Sequence, residues 1–360
     1  MQIGVPHPPA GRVLALVRRL GTAKREELAR RTGLSAATVA RAASALVDAG
    51  LLRYAIERPA IRGVGRPGTP LAVDARRFAV LGLHLGRRMA TVALGDLTGR
   101  VLDARVQPHR QLDPGALGEL AGDLLAAAPH RQPLAAGIVA PWRELDWNSG
   151  DVAQEMHGVL GLDIETTEHI PAMARAEFLA PQAAGPGRTA FLYARETAGF
   201  VVVDQSDDRA VHSPETALNH FPTGSDAACE CGRTGCLMAT AGDTAIAQRA
   251  YAEGWVDKPR IDLVFRGAAA GRVELRSLLT GRAEMLARTA GHVLDMCSAD
   301  RLVLAGQAFT ADPSVLARAR ACLDAEVAGT RFGSSIQASA ACAVALQPVD
   351  ANPIALAPRA

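Results

Sequence analysis

Between residues 229 and 236 the chain reads CECGRTGC, which places three of its six cysteines in eight positions, nine residues after His220. Gly232 and Gly235 let the backbone turn tightly enough for three sulfurs to reach one ion. Three thiolates and one imidazole make a closed tetrahedral set suited to Zn2+, with no open position for water. His220, Cys229, Cys231 and Cys236 are therefore expected to hold a structural ion rather than a catalytic one. Two other readings stay open on the residues alone: a cysteine loop that binds nothing, and a redox switch. The start MQIGVPHPPAGR lacks the basic-then-apolar pattern of a secretory signal, and no stretch approaches the ~20 apolar residues that span a bilayer. No membrane partner is expected. The expected compartment is the cytoplasm, where thiols stay reduced and a metal site is favoured over a bridge. Cys297, Cys322 and Cys342 sit among apolar neighbours and read as core residues.

Charge is segregated along the chain. The net +2 of the 360 residues conceals a head, residues 1–77, with 14 Lys+Arg against 5 Asp+Glu, and a remainder with 25 against 32. A basic head on an acidic body implies a polyanionic partner for the head alone. Val13, Leu14, Leu16, Val17 and Leu20 share one face of a first helix closed by Gly21. Thr22 is placed to cap a second helix, KREELARRTG, and Ser35 a third, AATVARAASALVDAG, after the short turn TGLS. Two short helices joined by a glycine-bearing turn form a helix-turn-helix whose second helix enters the major groove by its N-terminal end. Ser35, Ala37, Thr38, Arg41 and Ser44 are thereby predicted at or near base edges. The segments LLRYAIE and TPLAVD predict two strands flanking an arginine-rich wing, with Arg58, Arg62 and Arg66 facing phosphates or a narrow minor groove.

After residue 77 strands and helices alternate, predicting an α/β body of two lobes. FAVLGLHL, MATVALGD and PLAAGIVAP read as strands, PGALGELAGDLLAAA and PAMARAEFLA as helices, and RTAFLYARETAGFVVVDQ as a further strand pair. The expected divisions are a winged helix-turn-helix at 1–77, a first lobe at 78–185, and a second lobe at 186–360 that carries the cysteine cluster and a C-terminal helix able to return to the first lobe.

Head, body and cluster together resemble the ROK family (repressor, open reading frame, kinase). The carriers are ACECGRTGCL, close to the family's C-x-C-G-x-x-G-C-L-E signature, with His220 upstream, and GVGRPGTPL in the wing. The resemblance implies a winged helix-turn-helix followed by a two-lobed, actin-like ATPase fold, and it carries over the four zinc ligands. Met238 stands where the signature ends in glutamate. Family kinases hold ATP phosphates with a D-x-G-G-T loop. Here that loop reads HLGRRMA, so His84 replaces the aspartate and Arg87 and Arg88 take glycine and threonine positions. The second phosphate loop aligns with RETAGF and the late glycine pair with LAGQA. The family's E-N-D-A-N falls at TEHIP, with His169 at the catalytic base and Glu168 before it, and E-x-G-H reads ALNH, with Ala217 in place of the sugar-binding glutamate.

These departures predict a body without kinase activity and no catalytic residue. The expected protein is a DNA-binding transcriptional regulator, a repressor, acting as a homodimer or tetramer on double-stranded operator DNA with an inverted repeat. An effector, a sugar or an unrelated metabolite, is expected near Trp147, Glu168, His169 and His220. The rival readings are an ATP-dependent sugar kinase with a DNA-binding head and a redox- or zinc-responsive regulator.

Overall fold

The computed structural model describes residues 7–55, 69–109, 111–179, 185–311 and 313–357. Helix α1 (Pro9–Leu20) forms because Val13, Leu14, Leu16 and Val17 share a fully buried face, with proline opening the helix and Gly21, at φ 75°, closing it. A two-residue strand β1 (Thr22–Ala23) precedes α2 (Arg25–Thr32), which ends on Gly33 in the left-handed region, at φ 68°. Helix α3 (Ala36–Asp48) starts from Ser35, whose hydroxyl accepts from the Thr38 amide at 3.1 Å. Strands β2 (Leu52–Tyr54) and β3 (Leu71–Val73) run antiparallel and complete a sheet of order β1-β3-β2. This is a winged helix-turn-helix. The expected cap at Thr22 is corrected: Thr22 pairs with Ala72 across the sheet, and Lys24 holds the N-cap position of α2, where its side chain makes no capping bond. Arg58, Arg62 and Arg66 lie outside the described residues.

The body then builds a five-stranded sheet of order β6-β5-β4-β7-β8 from β4 (Phe78–Leu85), β5 (Met89–Asp96), β6 (Val101–Pro108), β7 (Gln132–Ala140) and β8 (Ile164–Glu168). Strand β4 is buried along its whole length, as its near-continuous apolar run requires. Helices α4 (Pro114–Ala126), α5 (Trp142–Leu145), α6 (Ser149–Leu160) and α7 (His169–Leu179) alternate with these strands. The segment GIVAPWRELDW runs from β7 almost directly into helix.

A second mixed sheet follows: β9 (Gly187–Ala194), β10 (Ala198–Gln205), β11 (Ala210–His212) and β12 (Thr216–Ala217), then α8 (Leu237–Ala241), α9 (Asp243–Ala252), α10 (Ile261–Ala269) and α11 (Val273–Cys297), then β13 (Arg301–Ala305), α12 (Gln307–Thr310), α13 (Pro313–Cys322) and β14 (Glu326–Gly329). Its order is β11-β10-β9-β13-β14, with β12 also on β10, around a core of Ala190, Leu192, Leu286, Leu302 and Leu304. Last come α14 (Ile336–Ala351) and α15 (Pro353–Leu356).

Two compact units result. One comprises Pro186–Gln205 and Val211–Gly333; the other takes the head, the first sheet, Ser206–Ala210 and the C-terminal helices. In the head-bearing unit α14 lies on β4 and β7 at two glycines. A Cβ at Gly82 would stand 2.5 Å from the Cys342 amide nitrogen, and one at Gly137 2.4 Å from that of Ala345. Cys342 is buried there and Cys297 is half-buried, but Cys322 is exposed, which corrects its reading as a core residue: it is the last residue of α13.

Candidate functional site

Helix α3 separates its faces cleanly. Val39, Ala42, Ala43 and Leu46 are buried against the head core, whereas Ser35, Ala37, Arg41 and Ser44 are exposed. Ala37, Arg41 and Ser44 follow i, i+4, i+7 spacing and form one stripe, small apart from a single long cation, so the helix can approach a groove closely. Thr38 is half-buried, and its hydroxyl lies 2.9 Å from that of Ser35, so this pair closes the helix start. Sequence reasoning missed a neighbouring pair. Arg25, the first residue of α2, donates to the Tyr54 hydroxyl at 3.1 Å, with its guanidinium 5.7 Å from the ring centroid. Tyr54 is exposed on β2 next to Arg53, so a solvent-facing aromatic on a basic head was the available signal.

The cysteine cluster is built by a segment with few apolar residues of its own. Isolated bridges join Pro222 to Cys236 and Ala228 to Thr234, and Gly232 and Gly235 take φ of 83° and 70°. A Cβ at Gly235 would stand 2.5 Å from the Ser225 carbonyl oxygen, so only glycine fits that turn. The ligand atoms of His220, Cys229, Cys231 and Cys236 converge, all lying within 4.8 Å of one another. Cys231 Sγ is 3.6 Å from Cys236 Sγ, and Cys229 Sγ is 3.5 Å from His220 Nδ1. A tetrahedron with Zn–S of about 2.3 Å and Zn–N of about 2.0–2.1 Å has edges of about 3.8 and 3.6 Å, so the donor set fits that ion. The Arg233 guanidinium, 3.5 Å from Cys231 Sγ, pulls that thiol down to about 6, while burial pushes Cys236 up to about 11.

The residues that the sequence reading set against kinase motifs have the following settings. His84, the residue before the last of β4, is buried, and His169 is the buried first residue of α7. Burial, and then His84, push His169 down to about 3, which leaves it neutral at physiological pH. Glu168 accepts from the Trp142 amide at 3.2 Å, with Arg143 4.0 Å away, and burial raises its pKa. Trp142 is buried and donates from its indole to the Thr167 carbonyl at 3.1 Å. Trp147 is half-buried, its ring 6.0 Å from that of His109. The turn after β4 is closed on itself: the Gly86 amide donates to Met89 O at 2.9 Å, Gly86 O lies 2.5 Å from His109 Nε2, and Arg87 pairs with Glu144 at 3.4 Å.

In the other unit the turn after β9 is tied down as well. Arg195 lies 3.8 Å from Asp243, which pairs at 2.5 Å with Arg282, both partners being buried. Nothing in the spacing of Asp243 and Arg282 marked this pair. Of the residues expected to form an effector pocket, Trp147, Glu168 and His169 belong to the head-bearing unit; His220 belongs to the cysteine-bearing unit and faces the cluster.

Comparison with known proteins follows the same division. The family model described as "ROK family" matches residues 80–341, and that of the IclR helix-turn-helix domain matches residues 9–55. A transcriptional regulator of Mycobacterium tuberculosis is 29% identical over 381 residues, covering 96% of this chain and 86% of that protein. A crystal structure of a ROK family transcriptional regulator, a homolog of the E. coli MLC protein, superimposes with a TM-score of 0.76 at 20% identity, covering 97% of this chain and 98% of the other. The ROK hexokinase of Thermus thermophilus gives a TM-score of 0.58 at 21% identity over 76% of this chain and all of its own. At these identities both superpositions speak to fold.

Proposed function

Since the chain belongs to the ROK family, its body matched from residue 80 to 341, we propose that it is a DNA-binding transcriptional regulator, a repressor, whose kinase-like body performs no phosphoryl transfer. One observation carries this reading: the exposed stripe of α3, with Arg41 at its centre, on a head that holds the chain's excess of positive charge. The likeness to a transcriptional regulator that is 29% identical and covers 96% of this chain supports it further. Arg41 and Ser44 are the base readers in this proposal. Ser35 and Thr38 set the helix start, while Arg25 and Tyr54 add a contact to the phosphate backbone. One head reads only a few base pairs, so the protein is proposed to act as a dimer, or a pair of dimers, on an inverted repeat in the cytoplasm.

His220, Cys229, Cys231 and Cys236 hold a structural Zn2+ in this account. The ion supplies cross-links, and the chain's own residues supply the turns that carry them. Absence of kinase chemistry is supported by three features. His169 is too weak a base to take a proton from a sugar hydroxyl at pH 7. The turn after β4 spends its Gly86 amide and carbonyl internally, and arginine side chains tied to Glu144 and Asp243 stand at the two phosphate-loop positions. An effector near Trp147, Glu168 and His169, a sugar or another metabolite, is proposed as the controlling ligand.

Selection of duplexes from fragmented genomic DNA, run beside an ADP-release assay with ATP, Mg2+ and a sugar panel, tests the reading. Enrichment of one sequence class with ADP at background is expected. ADP release dependent on one sugar would overturn the non-enzyme part.

A further inference from the structure

The head of this protein is built into the first sheet of the body. Val13, Leu14, Val39 and Leu46 of the head share one apolar core with Phe78, Val80, Leu346 and Val349. The connection from β3 to β4 is pinned on both sides: the Asp74 amide donates to Leu51 O at 2.9 Å, the Gln132 amide to Arg77 O at 3.0 Å, and Arg131 to Ala75 O at 2.6 Å. At Gly11 an added Cβ would sit 1.8 Å from the Asp350 carbonyl oxygen, so α1 and α14 touch backbone to backbone. Beside that contact lies a charge cluster. Arg18 of α1, with its side chain 0% exposed, places Nη1 2.8 and 2.9 Å from the two Asp350 carboxylate oxygens, and its Nε donates to Leu97 O at 2.6 Å. Arg175 of α7 reaches the same carboxylate at 3.6 Å and donates to Ala343 O at 2.9 Å.

Apolar burial alone would hold the head in place. A buried carboxylate shared by two arginines from different segments adds direction, because losing one partner leaves an uncompensated charge while a small rotation breaks short bonds. Helix α7 begins at His169, the residue that follows Glu168, and Arg175 lies less than two turns further along it. We propose that Asp350 is a positioning residue: it holds the first helix of the head and the helix that begins at His169 on one carboxylate, so that the DNA-reading head is a fixed part of this unit and follows any shift of that helix. What the joint is for rests on the regulator reading above; its existence does not.

Hydrogen exchange on the full-length chain tests the joint without DNA. In the wild type the amides of α1 and α3 are expected to exchange together with those of β4 and β7 in one cooperative opening. The double replacement Arg18→Met with Asp350→Leu removes the pair together, so neither of its members is left charged; Arg175 loses this carboxylate but keeps its bond to Ala343. It should speed exchange in α1 and α3 about tenfold or more while β4 and β7 stay protected. Arg18→Lys, which keeps the charge and loses the fork, should recover part of the protection.

Three exchange results would overturn the proposal: wild-type head helices opening alone and far faster than β4, unchanged head protection in the double variant, or equal loss of protection in β4 and β7. The same proteins are then offered inverted repeats whose half-sites are moved apart by about 5 base pairs, half a helical turn. A fixed head predicts that this costs the wild type at least about tenfold in affinity and the double variant less than about threefold; equal penalties contradict it. Failure of the wild type to bind any duplex would sink the regulator reading and leave the exchange result standing.

Discussion

Stripping the ion from the His220–Cys236 cluster should loosen one segment and lower the melting point of the body without abolishing its fold. Between Pro222 and Thr234 every residue is at least partly exposed, and regular structure is limited to two isolated bridges. The segment is joined to the rest of its unit by Leu237, 1% exposed, and by the half-buried Phe221 and Met238. The ligand atoms of His220, Cys229, Cys231 and Cys236 all lie within 4.8 Å of one another, so removing the ion removes the cross-links that close this turn, and the turn opens, releasing those anchors in part. Burial of one Leu-sized side chain is worth about 1.5–3 kcal/mol, so loss of Leu237 and part of its neighbours costs about 3 kcal/mol. For a unit of this size that lowers Tm by roughly 6–12 °C.

The assay combines metal content of protein purified without chelator, thermal melts before and after chelation, and limited proteolysis mapped by mass spectrometry. About one zinc per chain, the stated drop in Tm and new cleavage between residues 222 and 235 are expected. Cys231→Ser should reproduce the effect, whereas Cys322→Ser, at an exposed position outside the cluster, should not. Zinc far below one per chain, or complete removal of zinc with an unmoved Tm, would refute the structural role.

Two glycines predict opposite signs in urea melts. Gly82→Ala forces a Cβ to within 2.5 Å of the Cys342 backbone nitrogen and should cost about 1–3 kcal/mol or more, whereas Gly122→Ala, with nothing within 4 Å on α4, should gain about 0.5–1 kcal/mol. Equal effects would show that α14 does not rest on β4 as described. His169 sets an acid limit. Its pKa lies near 3 in the folded chain and near 6.5 when unfolded, so the unfolded state binds more protons between those values and stability falls as pH drops through that window. His169→Asn should therefore recover up to about 2 kcal/mol at pH 5 relative to its effect at pH 8, and a difference independent of pH would contradict its burial as a neutral group.

What the sequence made legible was local. Ser35 closes α3 as its position beside an apolar run implies, because a cap needs only the next three residues. The cluster was legible because ligand spacing and glycine turns lie within one short segment. Thr22 misled for a related reason: its strand partner, Ala72, is fifty residues away, and pairing outweighed capping. The ion pairs of Arg18 with Asp350, 332 positions apart, and of Asp243 with Arg282 left no pattern, since side-chain partners across a fold are chosen by packing. Arg25 and Tyr54 looked like an ordinary surface cation and an ordinary strand aromatic until the fold of the head, with all of α3 between them in sequence, brought them together. The letters at HLGRRMA and RETAGF could be read in the sequence; that Arg87 and Arg195 are tied to Glu144 and Asp243 required coordinates.

The central claim is that this chain reads DNA through α3. Its most direct test is the affinity of the duplex selected from genomic fragments, measured by fluorescence anisotropy at about 0.15 M salt for wild type and Arg41→Ala. The selected duplex should bind the wild type at least about a thousandfold more tightly than a scrambled one, and Arg41→Ala should lose about ten- to a hundredfold on the selected duplex with an unchanged melting temperature. Equal affinity for selected and scrambled duplexes, or full affinity in Arg41→Ala, would contradict the account.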